Sequence, residues 1–346
     1  REVGHGVFQH ATEHGDVPKS FGWMKELARR TGLRIVFSLS QTDWAADTWR
    51  ENLRLLDECA AEGLDIWGQA AGRGVGILMG FELTAHPFAG HPTFQKVFAQ
   101  AAGDRAALFA ALAQPSVRHQ IISEAPLPLD PFSTFITRTF AKMFPQRGEA
   151  MDYEPPADAS IAAIAQRTGR PPLEVAYDAL LADDGMLYFP LFNYAHGDLG
   201  VVQQLQTHPR VQMGLSDAGA HCGAICDGGM PTFMLTHWTR DRQRGDRLPL
   251  EYIIRRQTRD TAAFYGFTDR GVIAPGYRAD INLIDYDRLA FLAPQVAYDL
   301  PAGGRRLVQR ARGYDLTMLA GTPISEHGEF TGALPGKLLR GPQKLR

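Results

Sequence analysis

The 346-residue chain is 45% hydrophobic and 21% charged, with a formal net charge of -2: too apolar for a disordered segment and long enough to bury a substantial core. Near-neutrality gives no electrostatic reason to expect nucleic acid or an anionic membrane as partner, and leaves small neutral or weakly charged molecules as the expected substrates. Cys59, Cys222 and Cys226 are too few and too unevenly spread for a disulfide framework, no run approaches the roughly 20 apolar residues of a membrane span, and no signal-peptide pattern opens the chain, so the expected location is cytoplasmic.

The chain starts without Met and runs straight into the apolar, strand-like Gly6–Gln9, so the numbering is expected to begin inside a domain. A helical pattern follows from Ser20 to Arg30 and stops at Thr31-Gly32. Arg34–Gln41 reads as a buried strand on its β-branched and aromatic centre. The segment from Thr48 to Glu62 reads as a helix with Leu53, Leu55, Leu56 and Cys59 on its apolar side, and Leu64–Ala70 as the next strand. Strands alternating with helices at this interval indicate βαβ units and a parallel sheet, either a barrel or a doubly wound fold.

Residues 88–168 break the rhythm with Pro115, the run Ala125-Pro-Leu-Pro-Leu-Asp-Pro131 and Asp152-Tyr-Glu-Pro-Pro156, and read as a lid-like insertion over the loop face. Signals resume with a helix over Pro172–Leu181 and strands over Gly185–Asn193 and Val211–Ser216. From Gly271 the texture becomes Gly-punctuated apolar strands with a turn at Pro275-Gly276, which reads as hairpin chemistry and marks a β-rich segment over residues 271–346. Only six of the 36 basic residues are Lys, so an isolated Arg carries little weight as a sign of a specific guanidinium role.

Reactive side chains are densest in Gly214-Leu-Ser-Asp-Ala-Gly-Ala-His-Cys-Gly-Ala-Ile-Cys-Asp227, directly after an apolar strand. In a parallel α/β scaffold catalytic groups gather at the C-terminal strand ends, because loops there vary without disturbing the core. Asp217 occupies such a place; capping or an Asx turn is the bland alternative. One Cys pair lacks the second pair of a structural zinc site, and Cys222 beside His221 points away from it on an extended loop. His221, Asn193 and His86 are candidates for substrate binding, with core packing as the competing role for each.

The order Ser216-Asp-Ala-Gly-Ala-His-Cys222, Met230-Pro-Thr-Phe-Met-Leu-Thr-His-Trp-Thr-Arg240, Leu248-Pro-Leu250, Thr258-Arg-Asp-Thr-Ala262, Tyr265-Gly266 and Gly271-Val-Ile-Ala-Pro-Gly-Tyr-Arg-Ala-Asp280 resembles the C-terminal half of amidohydrolase-superfamily enzymes in the N-acyl-D-amino-acid deacylase (D-aminoacylase) branch. The resemblance is good over residues 186–290 and looser before them. It implies an α/β fold, a TIM-type (β/α)₈ barrel of metal-dependent hydrolases, incomplete here and occupying residues 1–270 with its insertion, joined to part of a small composite β-sandwich from 271. It further implies a divalent metal, Zn2+ in most such enzymes, that activates water for attack on an amide C–N bond. Asp217 is then the general base and acid and also a metal contact.

Two positions depart from the family pattern. Its His-x-His pair at the first barrel strand has no counterpart, consistent with a chain beginning several strands into the barrel. Where two further strands ought to end in metal-binding His, this sequence offers Gln9-His10 and Ser38-Leu-Ser-Gln41. His10 is the candidate ligand there; Gln41 is a poor one, since a neutral amide oxygen binds zinc less well than imidazole. The expected activity is deacylation of N-acyl-D-amino acids, with another amide or a cyclic ureide as the alternative substrate and a non-catalytic metabolite-binding barrel as the alternative of a different class.

Overall fold

The structure is a computed structural model that describes residues 6–12, 17–183, 185–214, 216 and 219–342. The expected rhythm of strand and helix appears at once: strand β1 (Val7–His10), helix α1 (Val17–Thr31), β2 (Arg34–Ser38), α2 (Thr48–Ala61) and β3 (Ile66–Ala70). Two residues of each strand that point the same way, Ile35 with Phe37 and Ile66 with Ala70, bury against Phe21, Met24 and Ala28 of α1 and Trp49, Leu56 and Cys59 of α2. Close approach is required within this layer: a Cβ on Gly68 of β3 would stand 2.7 Å from Leu39 Cδ2.

After β3 the chain departs into a lobe that returns only at residue 192. It holds β4 (Val75–Met79), the helices α3 (Pro92–Ala101), α4 (Arg105–Leu112), α5 (Pro115–Ser123), α6 (Pro131–Arg138), α7 (Ile161–Thr168) and α8 (Pro172–Leu181), and the strands β5 (Phe144–Gln146) and β6 (Met186–Phe192). The three strands form an antiparallel sheet in the order β4-β6-β5, sealed by a core that includes Phe81, Phe88, Phe94, Tyr177 and Phe189. The excursion is therefore wider than the insertion expected over 88–168, and β6, read from sequence as a strand after that insertion, is the centre of the lobe's own sheet. Its seven residues are almost wholly buried, and a fully apolar strand looks the same from sequence in either sheet.

The chain then rejoins the parallel layer through α9 (Gly200–Thr207) and β7 (Val211–Met213). The resulting sheet has the order β1-β2-β3-β7, all pairs parallel, with Val7 opposite Arg34, Ile35 opposite Ile66 and Gly68 opposite Val211. Strand order follows chain order without reversal, and the crossover helices α1, α2 and α9 share one face, with Val201 and Leu205 of α9 in the same core as α1 and α2. This winding is consistent with a TIM-type hydrolase and lacks the reversal of strand order that marks a doubly wound sheet. Among the described residues it does not close into a barrel: β1 and β7 are its edges. Its other face carries Gln9, Gln69 and Gln212 beside the apolar Val36 and Trp67, and is met by the segment after α10 (Met230–Thr236) and α11 (Leu250–Arg255), namely α12 (Thr261–Phe264). There Gln212 Nε2 donates to Thr261 Oγ1 at 2.6 Å, and Phe264 lies edge-on to Trp67.

The expected hairpin around Pro275-Gly276 is only half present. Tyr277 N–H donates to Ala274 O across the turn, but neither flank is a strand. The first strand of the β-rich segment, β8 (Ile281–Ile284), begins ten residues after the expected boundary and pairs far away in sequence. Beyond it come β9 (Ala290–Phe291), β10 (Gln295–Leu300), β11 (Gly304–Val308), β12 (Ala311–Arg312), β13 (Tyr314–Leu319), β14 (Thr322–Glu326) and β15 (Glu329–Phe330). They form a four-stranded sheet, β15-β14-β13-β8, and two ribbons, β10-β11 and β12-β9, all antiparallel. Among the described residues no helix is long and apolar enough to cross a membrane.

Candidate active site

The loop that leaves β7 begins at Gly214, where a side chain would overlap the amide of Gln69 on β3. Asp217, the expected base, lies outside the described residues, as do Leu215 and Ala218. Ser216 Oγ donates to Asp227 O at 2.6 Å, drawing the two ends of the loop together. Asp227 is buried and paired with the equally buried Arg73, whose Nη2 stands 2.7 Å from Asp227 Oδ1 and 3.2 Å from Cys226 O. The guanidinium carbon lies 3.8 Å from the centre of the Tyr153 ring, a cation–π contact made out of water.

The far side of the loop is fixed by three successive carbonyls that turn to three different partners. Cys222 O accepts from Leu307 N–H of β11, Gly223 O from Thr84 N–H of the lobe, and Ala224 O from Leu78 N–H of β4, at 2.7–2.9 Å. His221 opens this turn with φ +51° and its carbonyl accepts from Ala224 and Ile225 N–H, while its side chain is exposed. The 216–227 loop is thus the place where the parallel sheet, the lobe and the β-rich segment meet. Burial pushes the Cys226 thiol up to about 11, so it stays protonated at neutral pH and behaves as a packing residue.

The exit of β2 carries a second polar assembly. Gln41 is fully buried and every arm of its side chain is engaged: Oε1 accepts from Ala195 N–H at 3.0 Å, and Nε2 donates to Ala46 O and lies 3.2 Å from His196 Nδ1. Asn193, after β6, is equally buried, has φ +62°, and accepts from Gln41 N–H through Oδ1. Among the described residues its Nδ2 has no partner, and neither has the hydroxyl of Thr42, next to Gln41 in the chain.

The remaining candidates are dispersed. His86 sits among Phe81, Phe88 and Phe94 inside the lobe, accepts from Phe88 N–H through Nδ1, and is driven down to a pKa of about 3 by burial. His10 packs edge-on to Trp23 of α1, as Phe8 does, which puts it on the helix-covered face of β1. The inward residue of that strand is Gln9, whose Nε2 donates to Gln69 Oε1 at 3.0 Å. At these strand exits the inward or engaged side chains are therefore amides, and among the described residues no three of His, Cys, Asp and Glu are grouped so as to hold a metal ion. This donor set does not fit a divalent metal.

Sequence reading missed Arg73, its partner Tyr153, and a second cluster in which Glu154 and Arg242 engage His237, a residue it took as one that could orient a substrate. There Glu154 of the lobe takes His237 Nε2 at 3.0 Å, Arg242 at 3.2 Å through both oxygens, and Leu199 N–H at 2.8 Å. Burial alone would raise its pKa, but the donors from His237, Arg242 and Leu199 outweigh that and hold it at about 2. The only sequence signal for Arg73 is a charged residue inside an apolar stretch, whereas Glu154 stands in a polar, Pro-rich segment that gives no such signal.

Residues 4–324 match the model of the amidohydrolase family, and the chain belongs to that family. No curated protein and no solved structure matches it significantly. Enzymes of the family generally use divalent metal ions, which sets the amide-rich strand exits described above against the family's usual chemistry.

Proposed function

We propose that this member of the amidohydrolase family hydrolyses non-peptide amide C–N bonds, with N-acyl-D-amino acids as its substrate class and Asp217 as the proton-transfer residue. The observation that carries this reading is the family match over residues 4–324, which includes the whole loop at the C-terminal end of β7. Hydrolysis of an amide needs a base that takes a proton from the attacking water and an acid that delivers one to the departing nitrogen. A single carboxylate serves both steps in sequence. Asp217 has the residue type and the strand-end position for this. His221, exposed four residues on, and Asn193, whose Nδ2 has no partner among the described residues, are the proposed contacts to the substrate's carbonyl and carboxylate oxygens.

A second reading is supported by the glutamines. Gln9, Gln41 and Gln69 supply amides at the strand exits, and exits that present amides in place of metal ligands fit a metabolite-binding member of the family without turnover. One experiment separates the readings: incubate the protein, with and without added Zn2+, with N-acetyl-D- and L-amino acids, simple amides and a cyclic ureide, and follow release of free amine. Turnover of the D-series alone supports the first reading. Ureide or simple-amide turnover redirects the substrate class, and thermal stabilisation by a compound that is never cleaved supports the second.

A further inference from the structure

A buried ion pair is a poor way to stabilise a fold, because the cost of desolvating both charges roughly cancels their attraction and a well-packed apolar pair serves as well or better. What the charges supply is a fixed orientation. Arg73 and Asp227 are each only 1% exposed, so the pair is fully desolvated. Every contact of the guanidinium serves one geometry. Nη1 donates to Gly74 O at 2.9 Å, which fixes its own rotamer. Nη2 reaches both Asp227 Oδ1 and Cys226 O, the last two residues of the loop. Its face rests on Tyr153, which is itself held by a hydrogen bond from its hydroxyl to Gln309 Oε1 at 3.1 Å. Asp227 passes the constraint on, since its carbonyl takes the Ser216 hydroxyl and thereby closes the neck of the loop.

We propose that Arg73 is a positioning residue. Through Asp227 it clamps the neck of the 216–227 loop to the exit of β3, and so sets where the reactive residues of that loop stand. The proposal rests on the reading that this loop carries the catalytic base, but it concerns the loop's geometry and is testable without any substrate.

The loop reports on itself through Cys222, which is half-buried, while Cys59 lies fully buried in the helix layer and serves as internal reference. Two changes loosen the neck by different routes. Ser216→Ala deletes its hydrogen bond without touching a charge. The paired Arg73→Met/Asp227→Leu replaces the ion pair with apolar side chains of similar volume, a type of exchange that preserves stability. In both, iodoacetamide should alkylate Cys222 several-fold faster than in the wild type, with Cys59 still protected and Tm nearly unchanged. Against a substrate that the wild type turns over, kcat should fall about tenfold or more while KM barely moves, as displacement of a reacting group by a fraction of an ångström requires. Wild-type labelling of Cys222 in Ser216→Ala and in the folded paired variant overturns the proposal; if the paired variant does not fold, Ser216→Ala decides alone. Faster labelling in a protein that hydrolyses nothing leaves the clamp standing and sinks the activity reading instead.

Discussion

Gln41 and Asn193 are bonded to one another twice across the exits of strands from two different sheets: Gln41 N–H donates to Asn193 Oδ1 at 2.8 Å, and Asn193 N–H donates to Gln41 O at 2.9 Å. The pair stitches the parallel layer to the lobe at the end where strands of this winding present their functional groups. The Gln41 side chain takes no part in this pair; it holds residues 46, 195 and 196, which accounts for a Gln at a position where the family pattern leads one to expect a metal ligand.

The Gln41 side chain predicts a measurable cost. Gln41→Leu removes the hydrogen bonds to Ala195 N–H and Ala46 O, both part-buried, and each such bond contributes about 0.5–1.5 kcal/mol. Gln41→Glu keeps the acceptor for Ala195 but sets a carboxylate oxygen against Ala46 O, so it should be destabilised as well. Urea denaturation should show a lowered midpoint with an unchanged m-value in both. A Gln41→Leu protein as stable as the wild type means that the amide is there for something other than structure.

Gly223 and Thr84 predict a suppressor. The Gly223 backbone is in an ordinary conformation, but a Cβ there would overlap the Thr84 hydroxyl, so Gly223→Ala must displace the turn. Thr84→Ala alone should be close to neutral, because the hydrogen bond to Gly223 comes from the Thr84 backbone N–H, which survives. With both changes made, the methyl added at position 223 meets a Cβ at an ordinary 3.7 Å and stability should return. Thermal melts of the four proteins test this; a double mutant as unstable as Gly223→Ala would place the constraint elsewhere.

The sequence discloses what is local. Helices α1 and α2 and strands β2 and β3 follow from periodicities that need no distant partner, and the density of Asp217, His221 and two thiols marks the β7 exit without a structure. The lobe stays hidden because Val75–Met79 of β4 follows β3 closely and pairs with Met186–Phe192, more than a hundred residues on. Pairing at that distance leaves no periodic trace. His86 and His221 look alike as letters, yet one lies in an aromatic core and the other in solvent. Arg73 was lost to composition: in a chain where Arg so outnumbers Lys, one guanidinium does not announce itself, and only the burial of Asp227 beside it shows its role.

Acid should loosen the protein in two steps. The Glu154 carboxyl is held at about 2 against an ordinary 4.5, so it binds protons less readily folded than unfolded. Its contribution, on the order of 3 kcal/mol, is fully present above the unfolded value and is lost as pH falls from there through about 2. His86, held at about 3 against 6.5, is buried neutral, so the unfolded chain also takes up its proton first and stability falls with pH from about 6.5 downward. Glu154→Gln should remove the lower step and His86→Phe the upper one. Denaturant midpoints measured from pH 7 to pH 3 show the steps, and a wild-type profile flat across that range contradicts both assignments.

Asp217→Asn is the decisive substitution for the proposed chemistry. Asparagine keeps the shape and, as a helix or turn cap, accepts a backbone hydrogen bond about as well as aspartate. It has no basic lone pair and cannot shuttle a proton, and general acid–base groups typically contribute about 10² to 10⁴-fold. If Asp217 is the base and acid, kcat for an N-acetyl-D-amino acid falls by that much while Tm and substrate affinity stay nearly constant. A larger loss would mean that the carboxylate also holds a charge in place during the reaction, since an amide replaces neither a proton carrier nor an anion. If Asp217 only caps the turn after β7, turnover survives and so does stability. Kinetics and melting curves on the same two preparations separate these outcomes, and wild-type turnover in the mutant removes Asp217 from the mechanism.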